Sequence, residues 1–170
     1  FGLPLIATIR SRKEGGARSL SEAARLQLFK KILPWVEAVD VELSSRRLVK
    51  NLIPLVRRKA KRAILSYHNF RTTPPDWALE KLIREGKRKG ADLVKLAVTP
   101  RVPGDVGRLL LLTHRNRTKH VVTIAMGRRG AASRVLAPVF GSLLTYSFVG
   151  RPQAPGQIPL KQLVHGLSLR

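Results

Sequence analysis

Two short apolar runs in this sequence each carry an ionisable side chain. Residues 63–70 read Ala-Ile-Leu-Ser-Tyr-His-Asn-Phe and place His68 near the end of the run. Residues 91–100 read Ala-Asp-Leu-Val-Lys-Leu-Ala-Val-Thr-Pro and place Lys95 among Leu93, Val94, Leu96, Ala97 and Val98. A charged lysine buried in such company is costly. Burial would favour the neutral amine, the nucleophilic form. A lysine of this kind is a candidate Schiff-base former, and a histidine on a nearby strand end could move protons for it. The bland alternatives are specific too. His68 also fits a core histidine satisfied by hydrogen bonds, and Lys95 fits a side chain snorkelling from a strand edge.

The elements that must position this pair alternate along the chain. Residues 3–9 form a continuous apolar run expected as a buried strand, followed by a Gly15-Gly16 loop carrying Glu14. Residues 21–33 read as a helix capped by Ser21, with Ala24, Leu28, Phe29, Ile32 and Leu33 as its inward stripe. Residues 36–43 give a second strand in which Asp40 and Glu42, two apart, share a face. They are read as an interior polar network, not as catalytic groups. A basic amphipathic helix follows over 47–61, bent or shortened by Pro54. Further strands are expected at 63–68, 92–98, 120–126 and 143–149, with helices at 77–89, 105–117, from Ser133 toward Phe140, and 159–167. Such alternation implies an α/β fold of about six parallel strands with outer helices. Arg10, Glu42, His68 and Tyr146 would then gather at the carboxyl edge, where such folds place their sites. Pattern alone leaves closed barrel and open sheet both possible. No glycine fingerprint follows the first strand, which argues against a nicotinamide enzyme.

The chain has 170 residues, 44% of them hydrophobic and 25% charged, which suits one domain spanning 1–170. It has no cysteine, so disulfides and thiolate metal sites are excluded. No apolar run is long enough to span a membrane. No signal-peptide pattern stands at the start, so cytoplasm is the expected location. A net charge of +23 points toward a polyanion partner or toward a solvated, arginine-rich surface. The basic residues are spread over helical segments and are not interleaved with aromatics, which make up 5% of the chain. A base-stacking surface would need that interleaving, so nucleic acid is not the expected partner. His114, His120 and His165 lack ligand spacing, and no metal site is expected.

Six motifs in order resemble the type I 3-dehydroquinate dehydratases. They are Thr-Ile-Arg-Ser-Arg-Lys-Glu-Gly-Gly from Thr8, Val-Asp-Val-Glu-Leu from Val39, and Ser-Tyr-His-Asn-Phe from Ser66 with Thr73-Pro74. Ala-Asp-Leu-Val-Lys-Leu-Ala-Val from Ala91, Met-Gly-Arg-Arg-Gly-Ala-Ala-Ser-Arg from Met126 and Ala-Pro-Gly-Gln from Ala154 complete the series. The resemblance implies a (β/α)8 TIM barrel and a lyase of the shikimate pathway, which eliminates water from 3-dehydroquinate to give 3-dehydroshikimate. By the same resemblance, Lys95 forms an imine with the substrate ketone and His68 is the general base. Glu14 orients that histidine, Arg134 pairs with the substrate carboxylate and Arg10 makes another polar contact. Gln157 and Gln153 lie in a closing loop, and Met126 and Tyr146 line the pocket. No metal or bound cofactor is needed, the substrate is the small-molecule partner, and a homodimer is expected.

The match also has gaps. The family has two further strand–helix units ahead of the strand at 3–9, and one of them carries a Glu-x-Arg-x-Asp motif with no counterpart here. The chain opens on Phe1, which suggests a piece of a longer polypeptide or a trimmed front. Gln153 stands where a small hydroxyl residue is common. A reading from another class is a relative of the same fold that lost its chemistry and binds polyanions through its charge.

Overall fold

Strands and helices alternate through the computed structural model, which describes residues 2–168. In order they are β1 (Ile6–Thr8), α1 (Glu22–Ile32), β2 (Ala38–Glu42), α2 (Arg46–Arg58), β3 (Arg62–Asn69), α3 (Asp76–Arg88), β4 (Leu93–Val98), α4 (Pro103–Arg115), β5 (Val121–Ala125), α5 (Ser133–Val139) and α6 (Leu160–Ser168). The five strands lie in one sheet in chain order, and β1, β2 and β3 pair in parallel. The described residues fall into two compact units, one built from residues 2–68 and 82–94, the other from 69–81 and 95–168.

In the first unit, β2 is buried along its whole length, as a parallel strand covered on both faces must be. Its register puts Asp40 beside Ile64 and Glu42 beside Ser66. Helix α2 buries Leu48, Val49, Leu52, Ile53 and Val56 at helical spacing. Pro54 lies inside the helix and does not end it. Pro54 and Lys50 both lie on the exposed face, so the carbonyl that loses its partner can bond water. Ser21 caps α1 as expected, its hydroxyl accepting from the Ala24 N–H at 3.1 Å. The inward stripe of α1 differs from the sequence reading. Phe29 and Leu33 are buried as expected, but Ala24, Leu28 and Ile32 are exposed, and Arg25 is buried in their place.

Strand β1 is shorter and more exposed than the apolar run predicts. Only Ala7 of its three residues is buried, and Ile6 is 42% exposed, with Leu3 and Leu5 exposed before it. Among the described residues its strand neighbour is β2.

In the second unit, Leu96 and Val98 of β4, Leu109 and Leu112 of α4, and Val121 and Val122 of β5 form the core. Thr113 and Thr123 join hydroxyls within it at 2.6 Å. The expected sixth strand at 143–149 is absent among the described residues, which gives five strands instead of about six. Side chains take the backbone groups that a ladder would use. The Ser142 hydroxyl bonds the Leu144 carbonyl and Arg134 bonds the Tyr146 carbonyl. Only an isolated bridge, Phe148 with Pro159, remains.

Candidate active site

The candidate residues divide between the two units. In the first, a 3-10 turn over Arg12–Glu14 follows β1. Ser11 organises it. The Ser11 carbonyl accepts from the Glu14 and Gly16 N–H groups, and the Ser11 hydroxyl accepts from Lys13. Gly16 sits against the chain it turns back upon. A Cβ there would lie 2.2 Å from the Arg10 carbonyl oxygen, so no larger residue fits without moving the backbone.

This turn carries Glu14 into a buried position beside His68, at the end of β3. One carboxylate oxygen of Glu14 accepts from the His68 N–H at 3.0 Å and lies 2.9 Å from His68 Nδ1. The other accepts from the Ser44 hydroxyl at 2.7 Å. The sequence reading paired these two residues, and the structure brings them together.

Arg10, Asp40 and Glu42 form the polar network expected around the second strand. The Arg10 guanidinium reaches Asp40 at 3.0 Å, Glu42 at 3.2 Å and the Ser66 hydroxyl at 2.7 Å. Ser66 donates onward to Asp40 at 2.6 Å. Burial opposes the charge on Arg10, but Asp40, Glu42 and Glu14 outweigh it and hold the guanidinium above its ordinary value. Burial likewise pushes the Glu42 carboxyl up. The Ser11 N–H, Arg25 and Arg10 outweigh that too, and the net shift is downward.

In the second unit, Lys95 is buried, with 7% of its surface exposed. Its Nζ lies over the Tyr146 ring, 4.4 Å from the centroid, a cation–π arrangement. Tyr146 also packs against a cluster of Ala97, Ile124 and Met126. Tyr146 thus lies beside Lys95 and Met126 packs with Tyr146, and Tyr146 comes from a loop and not from a strand end.

Arg134 is 3% exposed, at the start of α5. Its Nε donates to the Gly156 carbonyl at 2.8 Å, and its two terminal nitrogens donate to the carbonyls of Tyr146 at 3.0 Å and Pro155 at 3.3 Å. Three of its five N–H groups are so used. No carboxylate among the described residues pairs with it, and burial alone lowers its affinity for the proton. The loop it grips contains Gln157, whose amide oxygen accepts from the Gln153 and Ala154 N–H groups at 2.6 and 3.1 Å. The Gln157 amide nitrogen is therefore the end that can donate to a ligand. Gln153 is exposed and its side chain bonds the Arg151 carbonyl.

Sequence reasoning missed Arg25, Ser44, Ser45 and Ser66. Arg25 had a readable signal. It stands four residues before Phe29, so the two share a helix face, and a basic residue beside the best core residue of α1 needs a buried acid.

A family model described as Type I 3-dehydroquinase matches residues 1–170. The chain is 44% identical over 169 residues to the 3-dehydroquinate dehydratase of Methanocella arvoryzae, an alignment covering 99% of this chain and 76% of the relative. It is 40% identical over 163 residues to that of Aquifex aeolicus, covering 96% and 72%. The solved 3-dehydroquinate dehydratase of Geobacillus kaustophilus superposes with a TM-score of 0.93 at 34% identity, over 98% of this chain and 67% of that one. The type I enzyme of Clostridium difficile, solved with covalent modified comenic acid, gives 0.90 at 32% identity, over 98% and 68%. With six ordered motifs, a parallel sheet flanked by helices and a match along its whole length, the chain belongs to the type I 3-dehydroquinase family.

Proposed function

We propose that the family's reaction, elimination of water from 3-dehydroquinate, runs in this chain through Lys95 as nucleophile and His68 as proton carrier. The activity is a hydro-lyase step of the shikimate pathway. The Lys95 amine adds to the substrate ketone and expels its oxygen as water, leaving an iminium. The iminium is an electron sink, so the adjacent carbon gives up a proton to His68. The electron pair then drives out the neighbouring hydroxyl, which His68 protonates as it leaves. Hydrolysis of the imine restores Lys95, and one water is lost overall.

The observation that carries the assignment is the Glu14–His68 pair. An ionised carboxylate only accepts hydrogen bonds. The hydrogen between the two therefore sits on His68 Nδ1, and in the neutral ring Nε2 is the basic nitrogen. Burial of Lys95 among apolar side chains supports its role, and the covalent ligand in the Clostridium difficile relative accords with a nucleophilic site. Arg134, buried without an acid among the described residues, suits the substrate carboxylate. Arg10 and Gln157 supply further polar contacts. Gln153 belongs to the same loop, and Met126 and Tyr146 wall the site. The five parallel strands and their helices are read as successive units of a (β/α)8 barrel.

Sodium borohydride tests this, because it reduces an imine to a stable amine. Incubation with 3-dehydroquinate and borohydride should leave a single adduct on intact mass, mapping to Lys95. Lys95→Ala should give neither adduct nor dehydration. An adduct elsewhere, or full turnover in Lys95→Ala, would overturn the mechanism.

A further inference from the structure

The first unit contains a buried ion pair that the proposed chemistry does not use. Arg25, 2% exposed, projects from α1 into the ends of β1 and β2. Its Nε donates to the Ile9 carbonyl at 2.8 Å and one terminal nitrogen to the Ser45 hydroxyl at 2.9 Å. The other terminal nitrogen pairs with Glu42. Glu42 is fully buried. One of its oxygens takes Arg25 and the Ser45 hydroxyl, the latter at 3.0 Å. The other takes the Ser11 N–H at 2.8 Å and Arg10 at 3.2 Å.

A buried ion pair adds little net stability against an apolar replacement, because desolvation offsets its Coulomb energy. Its geometry here gives it a different use. Arg25 holds the Ile9 carbonyl and Glu42 holds the Ser11 N–H, so the pair clamps the backbone on both sides of Arg10. Ser11 is the residue on which the Glu14 turn is built. A second branch leads to the same carboxylate. Arg25 and Glu42 both fix Ser45, and its neighbour Ser44 donates to Glu14. Backbone and hydroxyl support for Glu14 thus converge on one ion pair.

We infer that Arg25 and Glu42 are positioning residues for the reaction. They set the placement of Glu14, and through it the orientation and tautomer of His68. Neither touches the reacting atoms. Their main effect is on proton transfer, and any effect on substrate binding runs through Arg10, which Glu42 holds at 3.2 Å. This rests on the assignment of the Glu14–His68 pair as the proton-handling group.

The test uses Arg25→Met, which keeps length and removes charge, with Arg25→Lys, Glu42→Gln, Ser45→Ala and Glu14→Gln. Changes to outer partners of a reacting group typically cost about 10–100-fold in activity. Arg25→Met is expected to lower kcat by about that factor with KM within about threefold, and Glu42→Gln to lower kcat alike while also raising KM through its loosened hold on Arg10. Arg25→Lys should recover part of the loss, and Ser45→Ala should show a smaller fall of the same kind. The Nδ1 proton of His68, seen by NMR as a hydrogen bonded to a carboxylate, should shift or broaden in each. Arg25→Met combined with Glu14→Gln should cost little more than Glu14→Gln alone.

If Arg25→Met does not fold, Glu42→Gln and Ser45→Ala carry the same readings. Unchanged kcat and an unmoved His68 resonance in the folded variants, with Glu14→Gln impaired, would overturn the positioning role. An unimpaired Glu14→Gln would instead overturn the assignment on which it rests.

Discussion

Arg134, proposed above to meet the substrate carboxylate, also holds the surrounding loop together. Three of its N–H groups hold the carbonyls of Tyr146, Pro155 and Gly156. A lysine could keep the charge but not the planar fork. Arg134→Lys is therefore expected to raise KM for 3-dehydroquinate by at least about tenfold while the fold persists. Steady-state kinetics beside circular dichroism checks this, and an unchanged KM would remove Arg134 from the substrate site. The same residue marks what sequence can carry at this scale. Lys95 stood out because a cation inside an apolar run needs a reason. The Glu14–His68 pair was readable through its motifs, although 54 residues separate the partners. For Arg25 only its place on the Phe29 face of α1 was readable; its partners lie 16 to 20 residues away, and no local rule names them. Leu28 and Ile32 made an equally helical stripe on the other side, and burial decided against them.

At the scale of elements, the start of α3 is tied to α4 by charge. Asp76 accepts from Arg108 at 2.9 Å and also from Arg115, and Arg108 reaches Asp105 at 2.8 Å. Burial raises the Asp76 carboxyl, but the two arginines outweigh it and the net shift is downward. A carboxyl held low in the folded state stabilises fully above its ordinary value. That stabilisation is lost as pH falls through the lowered one. Asp76 is about a third exposed, so solvent limits the gain to no more than ~1 kcal/mol. Asp76→Asn should thus lower the melting temperature by a few degrees at pH 7. The difference should close as pH drops below about 4, and a gap of the same size in acid would rule out this origin. Element order and most boundaries were readable from periodicity and caps, Ser21 being the clearest. The strand expected at 143–149 was not excluded by anything local. Its apolar composition suits a strand, but Arg134 takes the Tyr146 carbonyl and Ser142 the Leu144 carbonyl.

For the whole molecule, the alternation of strands and helices was readable from the sequence alone. Closure of a barrel was not, because closure depends on pairings that no local pattern encodes. The net charge of +23 has a kinetic side. An anionic substrate is drawn toward such a surface, and salt screens the attraction over about 8–10 Å at physiological strength. kcat/KM should fall severalfold between low salt and 0.5 M sodium chloride, with kcat nearly constant. A salt-independent kcat/KM would show that charge plays no part in capture. No helix among the described residues is long and apolar enough to cross a membrane. Lys95 is only 7% exposed, whereas Lys30, Lys31, Lys50 and Lys59 lie open to solvent, so a bulky amine-directed reagent would mark those first and reach the proposed nucleophile last.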